Sequence, residues 1–269
     1  MSHKITFRQQ GQGPLLILLH GYGGSVQHWE SIAQNLAKDY QVVVPSLSHI
    51  YMSSDKLFFA IQVEVFAKFI RENFPDQKVY LAGTSYGGAL AWALSCQFPD
   101  LVEKIILVNP MVTDPIRHFL PTELKFFFSI PLNLKSIYVL LTTPMGRLFL
   151  KRAAQLFRDE RSEGPVAIEH LQGRKLQFVA HMIHHFAWIL RSEDWHAWNK
   201  KLEHFKGSCR MIYDKQDPLF AQEAYIKFAA QIHCTDLIPL TGAGHLAIKS
   251  RPETIAEAIR EFIQDKKAP

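Results

Sequence analysis

Six short apolar runs constrain this chain more than any other feature: Leu15–His20, Gln41–Val44, Lys78–Ala82, Lys104–Val108, Arg210–Tyr213 and Thr235–Leu240. A strand with one face in water alternates apolar and polar residues. An unbroken run reads instead as a strand buried on both faces. The segments between the runs carry the helical period. Trp29, Ile32 and Leu36 recur at that spacing, as do Phe58, Ile61, Val65 and Phe69, and 89–96, 221–232 and 255–262 also suit helices. Strand and helix alternate, so the expected fold is α/β, a mostly parallel sheet covered by helices on both sides.

The alternation stops at about Pro110 and resumes after Gly207. Between them the text is helical in flavour but broken by Pro115, Pro121, Pro131, Pro144, Gly146, Gly164, Pro165 and Gly173. The expected organisation is one core made of residues 1–110 and 207–269, with a helical insertion over 111–206. A chain of 269 residues can bury roughly 70–75% of its unfolded surface, so the core needs no disulfides. Cys96, Cys209 and Cys234 form no CxxC pair and no disulfide framework, which favours a reducing compartment. No apolar stretch is long enough to span a bilayer and residues 1–13 are polar, so the expected location is cytoplasmic.

Charge divides the same way. Residues 111–206 hold 14 Lys and Arg against 9 Asp and Glu, while the remaining 173 hold 16 against 16. The whole +5 excess, and 7 of the 13 His, fall in the insertion. No basic stripe with regular aromatics accompanies it, so no nucleic-acid partner is expected. A solvated, slightly basic surface is the preferred reading, and contact with an anionic membrane is the weaker one.

Chemistry concentrates at Gly83-Thr84-Ser85-Tyr86-Gly87-Gly88, which joins the run KVYLA to the helical stretch ALAWALSCQF. GxSxG alone is a common tight turn. Between a strand and a helix it forces the serine into a strained conformation with its hydroxyl exposed, which makes Ser85 a candidate nucleophile. A serine hydroxyl needs a base. His245 follows the last run on the loop Gly242-Ala243-Gly244 and is the candidate. The base needs a carboxylate to hold its tautomer. Asp217, just past the penultimate run in DKQDP, is preferred over Asp214, which stands at the run's end. His20-Gly21-Tyr22-Gly23-Gly24 follows the first run and lacks the GK[ST] ending of a phosphate loop. Its glycine-rich backbone can turn N–H groups toward Ser85, and the backbone N–H groups of Tyr22 and Tyr86 are the candidate oxyanion donors, with His20, Gly21, Gly83 and Gly87 in support.

HGYGGS…W at 20–29, GTSYGG at 83–88, DKQDP at 214–218 and GAGH at 242–245 together resemble the α/β-hydrolase superfamily, over residues 14–110 and 207–265. The resemblance implies Ser85 as nucleophile, Asp217 as orienting acid and His245 as base, with the insertion as a lid or cap. It implies a hydrolase of ester-like bonds in small, apolar acyl substrates that needs no cofactor. A serine at position 85 argues against the dehalogenases and epoxide hydrolases of that fold, which place Asp there. Carbon–carbon bond hydrolases, acyltransferases and a non-catalytic hydrolase-like binding protein stay open. One departure stands out. The Asp-x-Pro-Gly-x-Gly-x-Ser loop of similar enzymes is replaced by PSLSHIYMSS at 45–54, without the Asp and both glycines. His49 there is a surface-loop residue or a pocket residue.

His181 and His185 stand four apart on a helical stretch, a spacing that can hold a metal. No third ligand is evident in the sequence, and no metal is expected. Phe126–Phe128, Trp188, Trp195 and Trp198 read as packing of the insertion that also lines an acyl pocket.

Overall fold

The computed structural model describes residues 5–47, 59–75, 77–112, 130, 132–156, 172–191 and 207–265. Seven strands form one sheet: β1 (Phe7–Gln10), β2 (Leu15–Leu19), β3 (Gln41–Pro45), β4 (Val79–Ser85), β5 (Val102–Pro110), β6 (Ser208–Asp214) and β7 (Asp236–Leu240). Their order is β1-β3-β2-β4-β5-β6-β7. β1 runs antiparallel to β3. Every other neighbouring pair is parallel.

The unbroken apolar runs have a direct cause in the two cores. Leu15, Ile17 and Leu19 enter one cluster, and Leu16 and Leu18 enter the other. The same split separates Ile105 and Leu107 from Ile106 and Val108. Successive side chains point to opposite faces of a strand, so a sheet covered on both sides favours apolar residues at consecutive positions. The first cluster is closed by α2 (Phe59–Asn73), α3 (Tyr86–Gln97) and α7 (Gln222–Gln231). The second is closed by α1 (Glu30–Leu36), the short α8 (Ala247–Ser250) and α9 (Pro252–Gln264). α3 is buried from Tyr86 to Ser95, and its Gly and Ala residues let it sit close against the sheet.

Three details differ from the sequence reading. β1 is an edge strand of mostly exposed residues, FRQQ, so it carries no apolar run. β7 is only half-buried along its length, because it is the opposite edge and needs cover on fewer sides. On α2 the buried set is Phe59, Gln62, Val63, Phe66, Ala67, Phe69 and Ile70. The stripe through Ile61 and Val65 is therefore offset, and Ile61 is exposed. This helix has apolar residues on most of its circumference, so sequence periodicity does not single out one face.

Between β5 and β6 lie α4 (Leu134–Thr142), α5 (Pro144–Leu156) and α6 (Gly173–Arg191). The Asn133 side chain accepts the Ser136 N–H at 2.9 Å and caps α4. These helices share a small core of their own: Ile137, Leu141, Leu150, Leu176, Ala180, Ile183 and Ala187. Phe178 and Met182 of α6 reach the sheet-side core instead. Among the described residues, no helix is long and apolar enough to cross a membrane.

Candidate functional site

Parallel strands end at one edge, so the loops after β2, β4, β5, β6 and β7 converge there; in open α/β sheets that edge is where ligands bind. Ser85 closes β4 and stands immediately before α3, with φ 51° and ψ −121°. That is a left-handed conformation on a residue with a Cβ, worth of order 1–3 kcal/mol of strain that surrounding structure must hold. The surroundings do so by close approach. A Cβ at Gly87 would collide with the carbonyls of Leu19 and His20, and one at Gly83 would collide with the backbone of Gly87 and Gly88. The Ser85 carbonyl also accepts the Met111 N–H at 2.9 Å.

The loop after β2 lies against the serine. A Cβ on Gly21 would stand 3.2 Å from Ser85 Cβ and 3.8 Å from its Oγ. His20 is fully buried. Its Nε2 accepts the Leu47 N–H at 3.0 Å, so Nδ1 carries the proton and donates to the Gly21 carbonyl at 2.9 Å. His20 thus ties this loop to the segment following β3. Tyr86 opens α3, where the first N–H groups have no partner within the helix and the dipole is positive.

The structure brings Asp217, and not Asp214, against His245. Asp217 Oδ2 accepts from His245 Nδ1 at 2.8 Å, with both side chains buried. That bond places the proton on Nδ1 and leaves Nε2 as the basic nitrogen. Buried carboxylates need partners on both oxygens, and Asp217 has them. Its Oδ1 accepts the N–H groups of Leu219 at 2.7 Å and Phe220 at 3.3 Å, and its Oδ2 also accepts from the Tyr225 hydroxyl at 2.6 Å. Burial, followed by the Asp217 charge, pushes the Tyr225 phenol well above its ordinary pKa, so it remains a donor. Asp214 serves a different purpose. It accepts the N–H groups of Gln216 at 2.7 Å and Ala243 at 2.6 Å, which pins the His245 loop to the end of β6.

Asn109, also at positive φ (41°), completes that scaffold. Its amide donates to the carbonyls of Gly244 and His245 at 2.9 and 3.0 Å, while its carbonyl accepts the Asp214 N–H at 2.8 Å. Sequence reasoning missed Asn109 and Tyr225. An Asn-Pro pair at the end of β5 is a faint signal for the first, and nothing local marks the second.

α6 closes over the loop after β2. The Tyr22 hydroxyl donates to the Met182 carbonyl at 2.9 Å and lies 2.9 Å from His185 Nδ1. The Tyr22 and His185 rings stack, 6.1 Å apart and 6° from parallel, and Tyr22 meets Tyr86 edge-on at 5.4 Å. His185 is thus engaged with Tyr22 rather than directed with His181 toward a shared ligand. Among the described residues, no three His, Cys, Asp or Glu side chains are grouped to hold a metal. Burial pushes the Cys96 thiol up to about 12 and the Cys209 thiol well above its ordinary value, which disfavours either as a nucleophile. His49, Phe126–Phe128, Trp195 and Trp198 lie outside the described residues, as does the side chain of Trp188.

The model of the alpha/beta hydrolase fold family matches residues 14–252. The chain belongs to that family. A pimeloyl-[acyl-carrier protein] methyl ester esterase of Vibrio vulnificus is 31% identical over 108 residues, covering 40% of this chain and 41% of that protein. An uncharacterized protein of Mycobacterium tuberculosis is 32% identical over 111 residues, 40% of this chain and 32% of that protein. The chain thus spans well under two thirds of the length of these relatives. Among solved structures, a thermophilic esterase from Thermogutta terrifontis superposes with a TM-score of 0.68 at 18% identity, covering 97% of this chain and 93% of the other. At that identity the likeness speaks for the fold alone.

Proposed function

We propose that this family member is a serine hydrolase that cleaves the carboxylic ester bond of a small, apolar acyl substrate. The observation that carries the reading is the buried Asp217–His245 pair, held at the same sheet edge as a strained Ser85. His245 Nε2 takes the proton from Ser85 Oγ as the oxygen attacks the ester carbon. The tetrahedral oxyanion is received by the backbone N–H groups of Tyr22 and Tyr86, a pairing worth about 2.7–4 kcal/mol per donor in such sites. The imidazolium then protonates the leaving alkoxide. In the second half-reaction the same nitrogen removes a proton from water, which attacks the acyl-Ser85 ester and releases the acid. Asp217 orients the ring and stabilises the imidazolium.

His20, Gly21, Gly83 and Gly87 hold the geometry, and the helices inserted between β5 and β6 act as the cap that shields the reaction. The chemistry needs no cofactor. Similarity to a methyl ester esterase supports an ester in preference to other acyl bonds. A fluorophosphonate probe tests the reading, since it labels only an activated serine. The wild type should label and turn over p-nitrophenyl esters, with a preference among chain lengths. Ser85→Ala should do neither, losing about 10⁴-fold or more in kcat at unchanged thermal stability. A folded Ser85→Ala protein with wild-type esterase activity would overturn the mechanism.

A further inference from the structure

The outer side of the α4–α5 hairpin combines two properties that are rare together. Val139, Met145 and Leu148 are large apolar side chains exposed by 54%, 70% and 55%. In sequence, residues 124–158 contain Lys125, Lys135, Arg147, Lys151, Arg152 and Arg158 and no acid at all. The hairpin sorts them. Ile137, Leu141 and Leu150 turn into the small core of the inserted helices. On α4, Lys135, Val139 and Thr142 share the exposed side, and on α5 Met145, Leu148 and Arg152 do, at spacings that place each set on one helix face. The two helices are joined tightly. Thr143 Oγ1 accepts the Gly146 N–H at 3.1 Å, and a Cβ at Gly146 would strike the Leu140 carbonyl. The apolar side chains are therefore presented on a fixed scaffold.

We propose that this hairpin is a docking surface for an anionic phospholipid bilayer. Val139, Met145 and Leu148 enter the boundary between headgroups and acyl chains, and Lys135, Lys151 and Arg152 meet the lipid phosphates. Charge selects this occupant. A second copy would bring Lys135, Lys151 and Arg152 against the same cations of its partner, and like charges brought together at an interface repel. A bilayer rich in anionic lipid supplies both the apolar phase and the negative charge. Docking is in the plane of the interface, consistent with the described helices being too short or too polar to cross.

Sedimentation of the full chain with vesicles tests this without any reliance on catalysis. The vesicles are phosphatidylcholine alone, or with about 30% phosphatidylglycerol, each at about 0.05 M and about 0.5 M NaCl. Partition should be about tenfold or more higher on the anionic vesicles at low salt and should collapse at high salt. Met145→Glu with Leu148→Glu should lower it about tenfold, and Lys151→Glu with Arg152→Glu should erase the anionic preference. Ile226→Glu, at an exposed apolar residue of α7, should leave partition unchanged. So should Ser85→Ala, which keeps this test separate from the acyl-serine reading. Should the double apolar variant misfold by thermal unfolding, Met145→Glu alone provides the same comparison. Equal partition on both vesicle types, no partition, or equal loss in the Ile226 variant overturns the proposal. Loss of a wild-type dimer in the hairpin variants, seen by light scattering without vesicle binding, overturns it in favour of a second copy.

Discussion

The sheet core and the inserted helices solve the problem of burial at different scales. Each face of the sheet is covered by helices that contribute extensive apolar clusters, and the central strands are buried on both sides. The inserted helices close seven buried residues, all of them aliphatic, no larger than Leu, and two of them Ala, and leave Val139, Met145 and Leu148 in solvent. The core is charge-neutral, whereas the insertion carries the chain's entire positive excess. The rigid part therefore holds the candidate chemistry in place, and the thinly packed part is free to vary in surface and in contact with ligands. Tyr22 joins the two, because its backbone belongs to the loop beside Ser85 while its hydroxyl is held by α6.

The largest effect expected lies within the core, where neighbouring carboxylates divide chemistry from scaffolding. Asp217→Asn should lower kcat by up to about 10⁴-fold, by leaving His245 in the wrong tautomer. Asp214→Asn should retain far more activity but lose stability, of order 1–3 kcal/mol, because an amide can place a donor against the Gln216 or Ala243 N–H. Steady-state kinetics and thermal unfolding on both variants check this. A reversed order of damage to kcat would move the acid to Asp214.

Packing tests the comparison directly. Leu107 and Leu141 are both fully buried, one in the core and one in the insertion. Leu107→Ala should cost about 2–5 kcal/mol of global stability. Leu141→Ala should shift the main unfolding transition less and instead raise KM, since the insertion can open locally without unfolding the sheet. An equal drop in the main transition would show that the two regions unfold as one.

A smaller effect is expected at their junction. Tyr22→Phe removes the hydroxyl shared by Met182 and His185 and keeps the ring stacking. It should change KM by about 3–10-fold with little loss of kcat, the pattern of altered binding rather than altered transition-state stabilisation. A large fall in kcat alone would place the hydroxyl in the chemistry.

The smallest concerns pH. Although the insertion holds most of the His, His28 in the core has its pKa lowered, first by burial and then by the Lys249 cation. Its folded pKa lies below 6.5, so the unfolded chain binds this proton first as pH falls. Stability should therefore decline on acidification from about 6.5 down to the folded value. Thermal unfolding of the wild type and His28→Gln at pH 7.5 and 5.5, chosen to bracket about 6.5, should show a smaller acid-induced loss in the variant.

The core's strands were legible because two-sided burial writes itself as unbroken apolar text, and β1 was missed because an exposed edge strand writes nothing comparable. The buried face of α2 was misplaced for the related reason that its apolar residues are not confined to one stripe. At the candidate site, Ser85 stood out because a strand-to-helix turn needs small residues at 83 and 87, and the structure places backbone where any side chain there would be. His245 and the two carboxylate candidates, with Asp217 preferred over Asp214, followed from their places after the last two strands.

What the sequence determined by itself was the α/β class and its mostly parallel sheet, which depend on local pattern and chain order. Only the tertiary structure decided which carboxylate meets His245, that Tyr225 and Asn109 hold that pair in place, and that Tyr22 engages His185 across 163 positions of chain. Those outcomes depend on distances between segments far apart in sequence, and no periodicity along the chain encodes them.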